Sequence, residues 1–363
     1  MASIKRREDG KWRARYRDEA GKEHAKHFAR KVDAARWLDE VTAAVVTGMY
    51  VDPAAGKVTV KTYAESWAQA QPWRAQTRRR VDTAFKVHIN PVIGNRPIAS
   101  VRTSEVQALV RSWSDTLAPY SVKITYTTLR SVFRAAELDR VIAHSPCVRI
   151  ALPSMSRKHL TIPSVETLRE IAEALPDGLC PVPIVAAGLG LRPGEVFGLE
   201  VADVDFLRRA VAVTRQLDGQ RRSAPLKTSS SYRTVPLPDV VGEVLAAHLA
   251  ATGRQSGLVF RAADGRPLRL SEANRAWRGA CVKAGAPGLR MHDCRHAYAS
   301  ALIAAGESVK TIQARLGHAS AMVTLDVYGH LWPDSEERTR AAVDAWLCLG
   351  TPNGLEQVRE DSI

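Results

Sequence analysis

His292, Arg295 and His296 lie within Met291-His292-Asp293-Cys294-Arg295-His296, and Leu316-Gly317-His318 and Val327-Tyr328-Gly329-His330 complete the group within about forty residues. At a helix start, His292 and Arg295 share a face because they stand three apart, and both can aim at one point. Arg192, in Gly190-Leu191-Arg192-Pro193-Gly194-Glu195, sits in a turn that opens a helix, with Glu195 close enough to hold its guanidinium. Two guanidiniums can grip the non-bridging oxygens of a phosphodiester in fork geometry. They would bind a pentacoordinate transition state better than the ground state. Tyr328 offers a phenol with an ordinary pKa of about 10, whose attack on phosphorus needs a base or a strong positive field nearby. Lys227, in Pro225-Leu226-Lys227-Thr228 at a strand turn, can give the proton that a leaving alkoxide requires. Together these residues outline a site that handles a phosphate without a metal.

A zinc reading competes with it. His292 and His296 are four apart, as in helical zinc sites, with Asp293 in place of the glutamate of that motif. Arg295 between them would repel a cation and no third ligand is obvious, so no metal is expected. Tyr298 and His330 are read as packing residues.

At 363 residues the chain should form two or three domains. Its five cysteines are odd in number, scattered and without a C-x-x-C pair, which argues against a disulfide framework and for a reducing compartment. Ser3 to Asp9 lacks the apolar core of a signal peptide. The longest apolar run, Cys180 to Leu191, contains Pro181 and Pro183 and falls short of the ~20 residues that span a bilayer. A cytoplasmic protein with no membrane partner is expected. The net charge of +14 suggests a polyanion as partner, and its distribution sharpens this: residues 1–57 carry an excess of +4, residues 58–155 of +8 and residues 156–363 of +2. Most of the positive charge therefore precedes the phosphate-handling residues.

Trp12-Arg13-Ala14-Arg15-Tyr16-Arg17 alternates with period two, so Arg13, Arg15 and Arg17 share one face of a strand and Trp12, Ala14 and Tyr16 the other. A second short strand should end at Phe28, and a helix from Asp33 should bury Ala34, Leu38 and Val41. Such a sheet could read a DNA groove, although arginines on a strand face are ordinary. Gly48, Pro53 and Gly56 mark a linker over 48–57, and 58–150 reads as mostly helical. One helix near Ala75 to Val92 carries Arg78, Arg79, Arg80 and Lys86. The last, near Ser121 to Arg140, turns Val122, Tyr126, Leu129 and Phe133 inward and sets Lys123, Thr127, Arg130 and Arg134 on another face, which suits phosphate contact. After a second linker at Leu152 to Lys158, helices are expected at Val165 to Leu175 and Pro181 to Leu191. A strand region over Ala210 to Leu237 follows, with turns at Asp218-Gly219 and in the serines at 229–231. Helices resume at Val240 to Ala251, Ser271 to Ala284, Asp293 to Ala305 and Ser308 to Leu316, and a final one over 335–349 carries Val343, Trp346, Leu347 and Leu349 as an apolar stripe.

Five motifs in order give the chain a family likeness. They are Gly190-x-Arg192-x-Gly194-Glu195; Leu226-Lys227-Thr228 with Arg233-Thr234-Val235-Pro236-Leu237; His292-Asp293-x-Arg295-His296; Leu316-Gly317-His318; and Tyr328-Gly329-His330. In these it closely resembles the tyrosine recombinases, the phage integrase family. The resemblance implies a mainly α protein with small β elements in three domains. A small β-sheet plus helix would bind arm-type DNA (1–55), a helical SAM-like domain with His88-Ile89-x-Pro91-x-x-Gly94 would bind core DNA (58–150), and a mixed α/β, mostly α, catalytic domain would end in a helix (160–350), leaving a tail at 351–363. It further implies that Arg192, His292, Arg295 and His318 surround the scissile phosphate, that Lys227 is the general acid and that Tyr328 is the nucleophile. The product would be a 3′-phosphotyrosyl link with a free 5′-hydroxyl, formed without cofactor, ATP or metal. Implied partners are double-stranded attachment sites, a homotetramer on DNA and an accessory DNA-bending or directionality factor. The arm-like domain favours an integrase of a temperate phage or integrative element, able to integrate and in principle to excise. A chromosome or plasmid resolvase, a type IB topoisomerase-like enzyme and a catalytically degenerate DNA-binding regulator are the alternatives. Cys294 stands where the family often has leucine, and His144-Ser145-Pro146 replaces a more usual Asn-Pro; neither removes a catalytic group.

Overall fold

Alternation in Trp12–Arg17 produces the central strand of a three-stranded antiparallel sheet, β1 (Ser3–Arg6), β2 (Trp12–Arg17) and β3 (Glu23–Phe28), with Ala14 opposite both Ile4 and Lys26. Nothing in the polar sequence of β1 announces a strand; pairing along β2 makes it one. Helix α1 (Lys31–Val46) covers the other face of β2, and Ala14, Tyr16, Ala34 and Leu38 form the core between them, with Val41 at its margin. Tyr16 stacks on His24 at 5.1 Å and meets Trp37 edge-on. The structure, a computed structural model, describes residues 2–17, 21–47, 52, 54–155, 160–218, 223–226, 228–332 and 336–348. The chain divides into two units, Met1–Arg157 and Lys158–Ile363.

The first unit holds a second, larger core made by helices α2 (Val60–Gln69), α3 (Ala75–Thr83), α4 (Thr103–Thr116) and α5 (Pro119–Leu138). In α5, Val122, Tyr126, Leu129 and Phe133 are buried while Lys123, Thr127, Arg130 and Arg134 are exposed, as the two stripes require. The expected linker over 48–57 ends early: Ala55–Lys57 is a short 3-10 turn, and a Cβ on buried Gly56 would meet that of Ala99 at 2.6 Å. Beyond Thr83, α3 continues as a π-helix, Ala84–Gly94, that carries Pro91 inside it. The wider turn eases the clash between a proline ring and the preceding turn that would end an α-helix.

The second unit is built around α7 (Val182–Leu189), which packs on α6 (Val165–Ala174), α9 (Asp239–Thr252) and α11 (Asp293–Ala304). Its near-continuous apolar sequence is consumed there, with Val182, Val185, Ala186 and Leu189 all buried. Strands β4 (Val204–Asp205), β5 (Ala210–Val213) and β8 (Arg233–Pro236) form one antiparallel sheet, and β6 (Arg215–Leu217) and β7 (Ser223–Pro225) a hairpin beside it. Helices α8 (Pro193–Gly198), α10 (Leu270–Lys283), α12 (Val309–Leu316), α13 (Ala321–Tyr328) and α14 (Glu336–Cys348) complete it. Among the described residues no helix is long and apolar enough to cross a membrane.

Gly190 ends α7 with φ at +61°, and a Cβ there would lie 2.4 Å from the Tyr298 ring. Tyr298 therefore does pack, as expected, whereas His330 is exposed. Gly190→Ala is expected to lower stability by about 1–3 kcal/mol, from the left-handed backbone together with the displaced ring. A urea-unfolding midpoint equal to that of the parent chain would contradict this.

Candidate active site

Arg192 occupies the N-cap of α8, where Pro193 presets the first helical φ and Glu195 stands at the third position. The Glu195 carboxylate accepts the Arg192 backbone N–H at 2.9 Å and its Nη1 at 2.8 Å, so helix capping and guanidinium placement are one interaction. The same carboxylate accepts Arg233 Nη2 at 2.9 Å and Nη1 at 3.3 Å. Burial alone would raise the Glu195 pKa, but Arg233 first and Arg192 second outweigh it and hold the carboxyl below its usual range. Arg233, whose side chain is buried, also donates from Nε to the Arg315 carbonyl at 2.7 Å, which ties β8 to the end of α12.

A depressed carboxyl pKa contributes stability that is fully present above the unfolded-state value and is lost as pH falls through the folded-state value. Glu195→Gln leaves two guanidiniums without their counter-charge, at a cost of roughly 3–5 kcal/mol for a broken buried pair. Urea unfolding at neutral and acid pH should show the variant less stable at neutral pH and less acid-sensitive. Equal acid sensitivity in both chains would count against the assignment.

Arg295, in the first turn of α11, is 1 % exposed. Its Nη1 donates to the Gly190 carbonyl at 2.7 Å and its Nη2 to that of Leu316. Both acceptors sit at helix ends, α7 and α12, where carbonyls lack intrahelical partners. Burial and then the nearby Arg192 pull the Arg295 pKa down, Glu195 opposes them, and the guanidinium remains charged at neutral pH. Arg192 Nη2 donates to the Gly317 carbonyl at 3.2 Å, so both arginines are braced by the segment that carries His318. Each guanidinium has five N–H donors and keeps some of them for a ligand.

His318 follows the left-handed Gly317, and its Nδ1 hydrogen-bonds the fully buried Thr324 hydroxyl at 2.9 Å. That contact fixes the ring and leaves Nε2 for another partner. Burial first, then Arg295 and Arg192, bring the His318 pKa down to about 4. His292 stands at the N-cap position of α11, and burial, His296 and Arg295 likewise bring its pKa to about 4, so both imidazoles are neutral at pH 7. Tyr328 ends α13 with only 1 % exposure. Burial pushes its phenol to about 12, and the charges of Arg295 and Arg192 pull against that. Its ring lies parallel to His318 at 6.5 Å, and its oxygen is 2.8 Å from His296 Nδ1.

Arg192, Glu195, His292, Arg295, His318 and Tyr328 thus converge from α8, α11, the turn after α12, and α13. Lys227 lies outside the described residues. Arg233, His296 and Thr324 join the site without having been assigned to it from sequence. Arg233 is quoted there only as part of a motif.

The residues expected to contact DNA are less uniform. Arg13, Arg15 and Arg17 do share a face, and all three stand within 3.5–3.8 Å of one carboxylate, Glu23 of β3. Arg78 donates to Asp82 and to the Ala68 carbonyl, both at 2.9 Å, so it braces its own unit. Arg79, Lys86, Lys123, Arg130 and Arg134 are exposed. On α14, Val343, Trp346 and Leu347 are 47–63 % exposed, so this stripe does not pack on its own domain; Leu349 lies outside the described residues.

Residues 182–334 match the phage integrase family and residues 60–151 the phage integrase central domain. With both matched in chain order, and recombinases similar over most of its length, the chain belongs to the phage integrase family of tyrosine site-specific recombinases. The prophage phiRv2 integrase of Mycobacterium tuberculosis is 28 % identical to it over 89 % of each chain. A XerC-like tyrosine recombinase of Caldanaerobacter subterraneus is 25 % identical over 90 % of this chain and 92 % of its own. The fold is similar to that of the Tn1549 transposon integrase in complex with circular intermediate DNA, with a TM-score of 0.68 and 18 % identity over 79 % of this chain and 99 % of the other. It is also similar to lambda integrase in a tetramer bound to a Holliday junction, with a TM-score of 0.59 and 19 % identity over 88 % and 96 %.

Proposed function

We propose that this recombinase cuts and rejoins double-stranded attachment sites through a covalent 3′-phosphotyrosine at Tyr328, integrating a mobile element and in principle excising it. The observation that carries the reading is the gathering of a phenol, two braced guanidiniums and neutral imidazoles at one place. Arg192 and Arg295 stabilise the charge that grows on the non-bridging oxygens, with His292 and His318 beside them. Tyr328 attacks phosphorus, and Lys227 protonates the leaving 5′ oxygen. The broken bond's energy is kept in the phosphotyrosine, so the reaction calls for no cofactor.

In this reading residues 1–55 bind arm-type DNA, 58–150 the core site, and 160–350 carry out catalysis. Arg79, Lys86, Lys123, Arg130 and Arg134 are free to meet phosphates, whereas Arg13, Arg15 and Arg17 must exchange Glu23 for them, and Arg78 acts by holding its helix. The protein would act in the bacterial cytoplasm as a homotetramer on DNA, with an accessory bending or directionality factor.

A pool of nicked duplexes with randomised centres, captured covalently in EDTA and without ATP, tests the function. The enriched sequences should recombine when placed on plasmids. Capture that requires a divalent metal, or enriched sites that are only cleaved, would contradict the proposal. The exposed stripe of α14 further predicts that removing residues 335–363 abolishes the assembly of paired sites in gel-shift experiments while single-site binding persists. Unchanged synapsis would remove α14 from the assembly.

A further inference from the structure

Three imidazoles line the site, but they are not equivalent with respect to the phenol. His318 spends Nδ1 on Thr324 and lies beside the Tyr328 ring without bonding its oxygen. His292 sets its ring edge-on against His296 at 5.2 Å. Among the described residues, the hydrogen-bond partner of the Tyr328 oxygen is His296, through Nδ1 at 2.8 Å. Both groups are buried. Behind the imidazole, Nε2 faces the Asp293 carboxylate at 3.9 Å, one helical turn away on the same side of α11. Asp293 cannot swing aside, because it accepts the Arg290 backbone N–H and its Nη2, each at 2.7 Å.

We propose that His296 is the group that receives the phenolic proton of Tyr328, with Asp293 holding the resulting imidazolium from behind. This rests on the reading of Tyr328 as nucleophile. A proton on Nε2, toward Asp293, leaves the Nδ1 lone pair to accept the phenol O–H. On attack the O–H electron pair forms the O–P bond and the proton passes to Nδ1. The bond from phosphorus to the 5′ oxygen breaks, and that oxygen takes its proton from the general acid. In rejoining, the 5′-hydroxyl attacks, the phenolate leaves, and His296 Nδ1–H returns the proton. A phenol is protonated at neutral pH in any case, and burial reinforces this by pushing the Tyr328 phenol to about 12, so its attack calls for a group that takes the proton. The imidazole is free to accept, since its own burial lowers its pKa; Asp293 opposes that, and Arg290 and Arg295 reinforce it.

The test is single-turnover formation of the covalent adduct on a captured nicked duplex by the full chain. His296→Ala should slow it roughly 10²-fold, the scale of general-base assistance, with duplex binding unaltered. In the His296→Ala chain, replacing Tyr328 by a fluorinated tyrosine of lower pKa should restore most of that loss. A bridging 5′-sulfur, which relieves only the leaving group, should restore none of it. A His296→Ala chain as fast as the parent, or a defect that the fluorinated phenol leaves untouched, would overturn the proposal. Imidazole 15N shifts of the unaltered chain give a reading independent of any variant at 296: Nδ1 must be the unprotonated acceptor, and an Nδ1–H donating to the phenol would equally overturn it. An adduct that survives in Tyr328→Phe would instead overturn the nucleophile, whatever the result at His296.

Discussion

Tyr328→Phe should form no covalent DNA adduct and yet bind the same duplex as tightly as the parent chain. The substitution removes one oxygen and keeps a ring that packs with Ala299, Ile303, Ile312 and Leu316. What is lost is the hydrogen bond to His296, which leaves a buried imidazole nitrogen unsatisfied at about 1–3 kcal/mol. The chain should therefore melt somewhat earlier and remain folded, so that lost cleavage can be assigned to chemistry. The result separates this site from any in which the phenol merely packs: a packing residue would lose stability and keep its adduct. Adduct formation by a folded Tyr328→Phe chain would refute the assignment.

Arg295→Ala should lower the cleavage rate roughly 10²-fold or more, as the removal of a donor to a developing oxyanion does. The effect should exceed that of an exposed arginine because the guanidinium is already placed: two donors are fixed on the Gly190 and Leu316 carbonyls, and no reorganisation is needed when charge grows on phosphorus. Arg295→Lys should recover little, since an ammonium cannot span two carbonyls and a phosphate in one plane. Arg192→Ala should behave similarly, because Glu195 and the Gly317 carbonyl place it in the same way. A rate within a few-fold of the parent for either alanine variant, measured in single turnover, would show that the guanidiniums serve structure alone.

Much of the fold was legible because it depends on short-range pattern. The alternation of Trp12–Arg17, the two stripes of α5 and the i,i+3 relation of Arg192 to Glu195 all arise within one or two turns of chain. The parts that could not be read depend on distance in sequence. Glu195 serves Arg233 as well as Arg192, His296 meets Tyr328 from another helix, and Gly190 lies under the Tyr298 ring. Periodicity says nothing of such pairs, since each joins two elements distant in sequence: α8 with β8, α11 with α13, and α7 with α11. Strand β1 has no pattern of its own to show it, since only pairing along β2 orders it; the helix through Pro91 is expected from sequence, but its change to a π-helix beyond Thr83 is not. In the stripe of α14 the spacing was visible but not what it packs against.

The central claim is that a strand of DNA becomes joined to Tyr328 without a metal. It is tested most directly by trapping the unaltered chain on a captured nicked duplex in EDTA, digesting the complex, and locating the modified peptide by mass spectrometry. The account predicts a 3′-phosphate ester on Tyr328 with the 5′-hydroxyl strand released. A nucleotide carried by any other residue, or no adduct until a divalent metal is supplied, would contradict it.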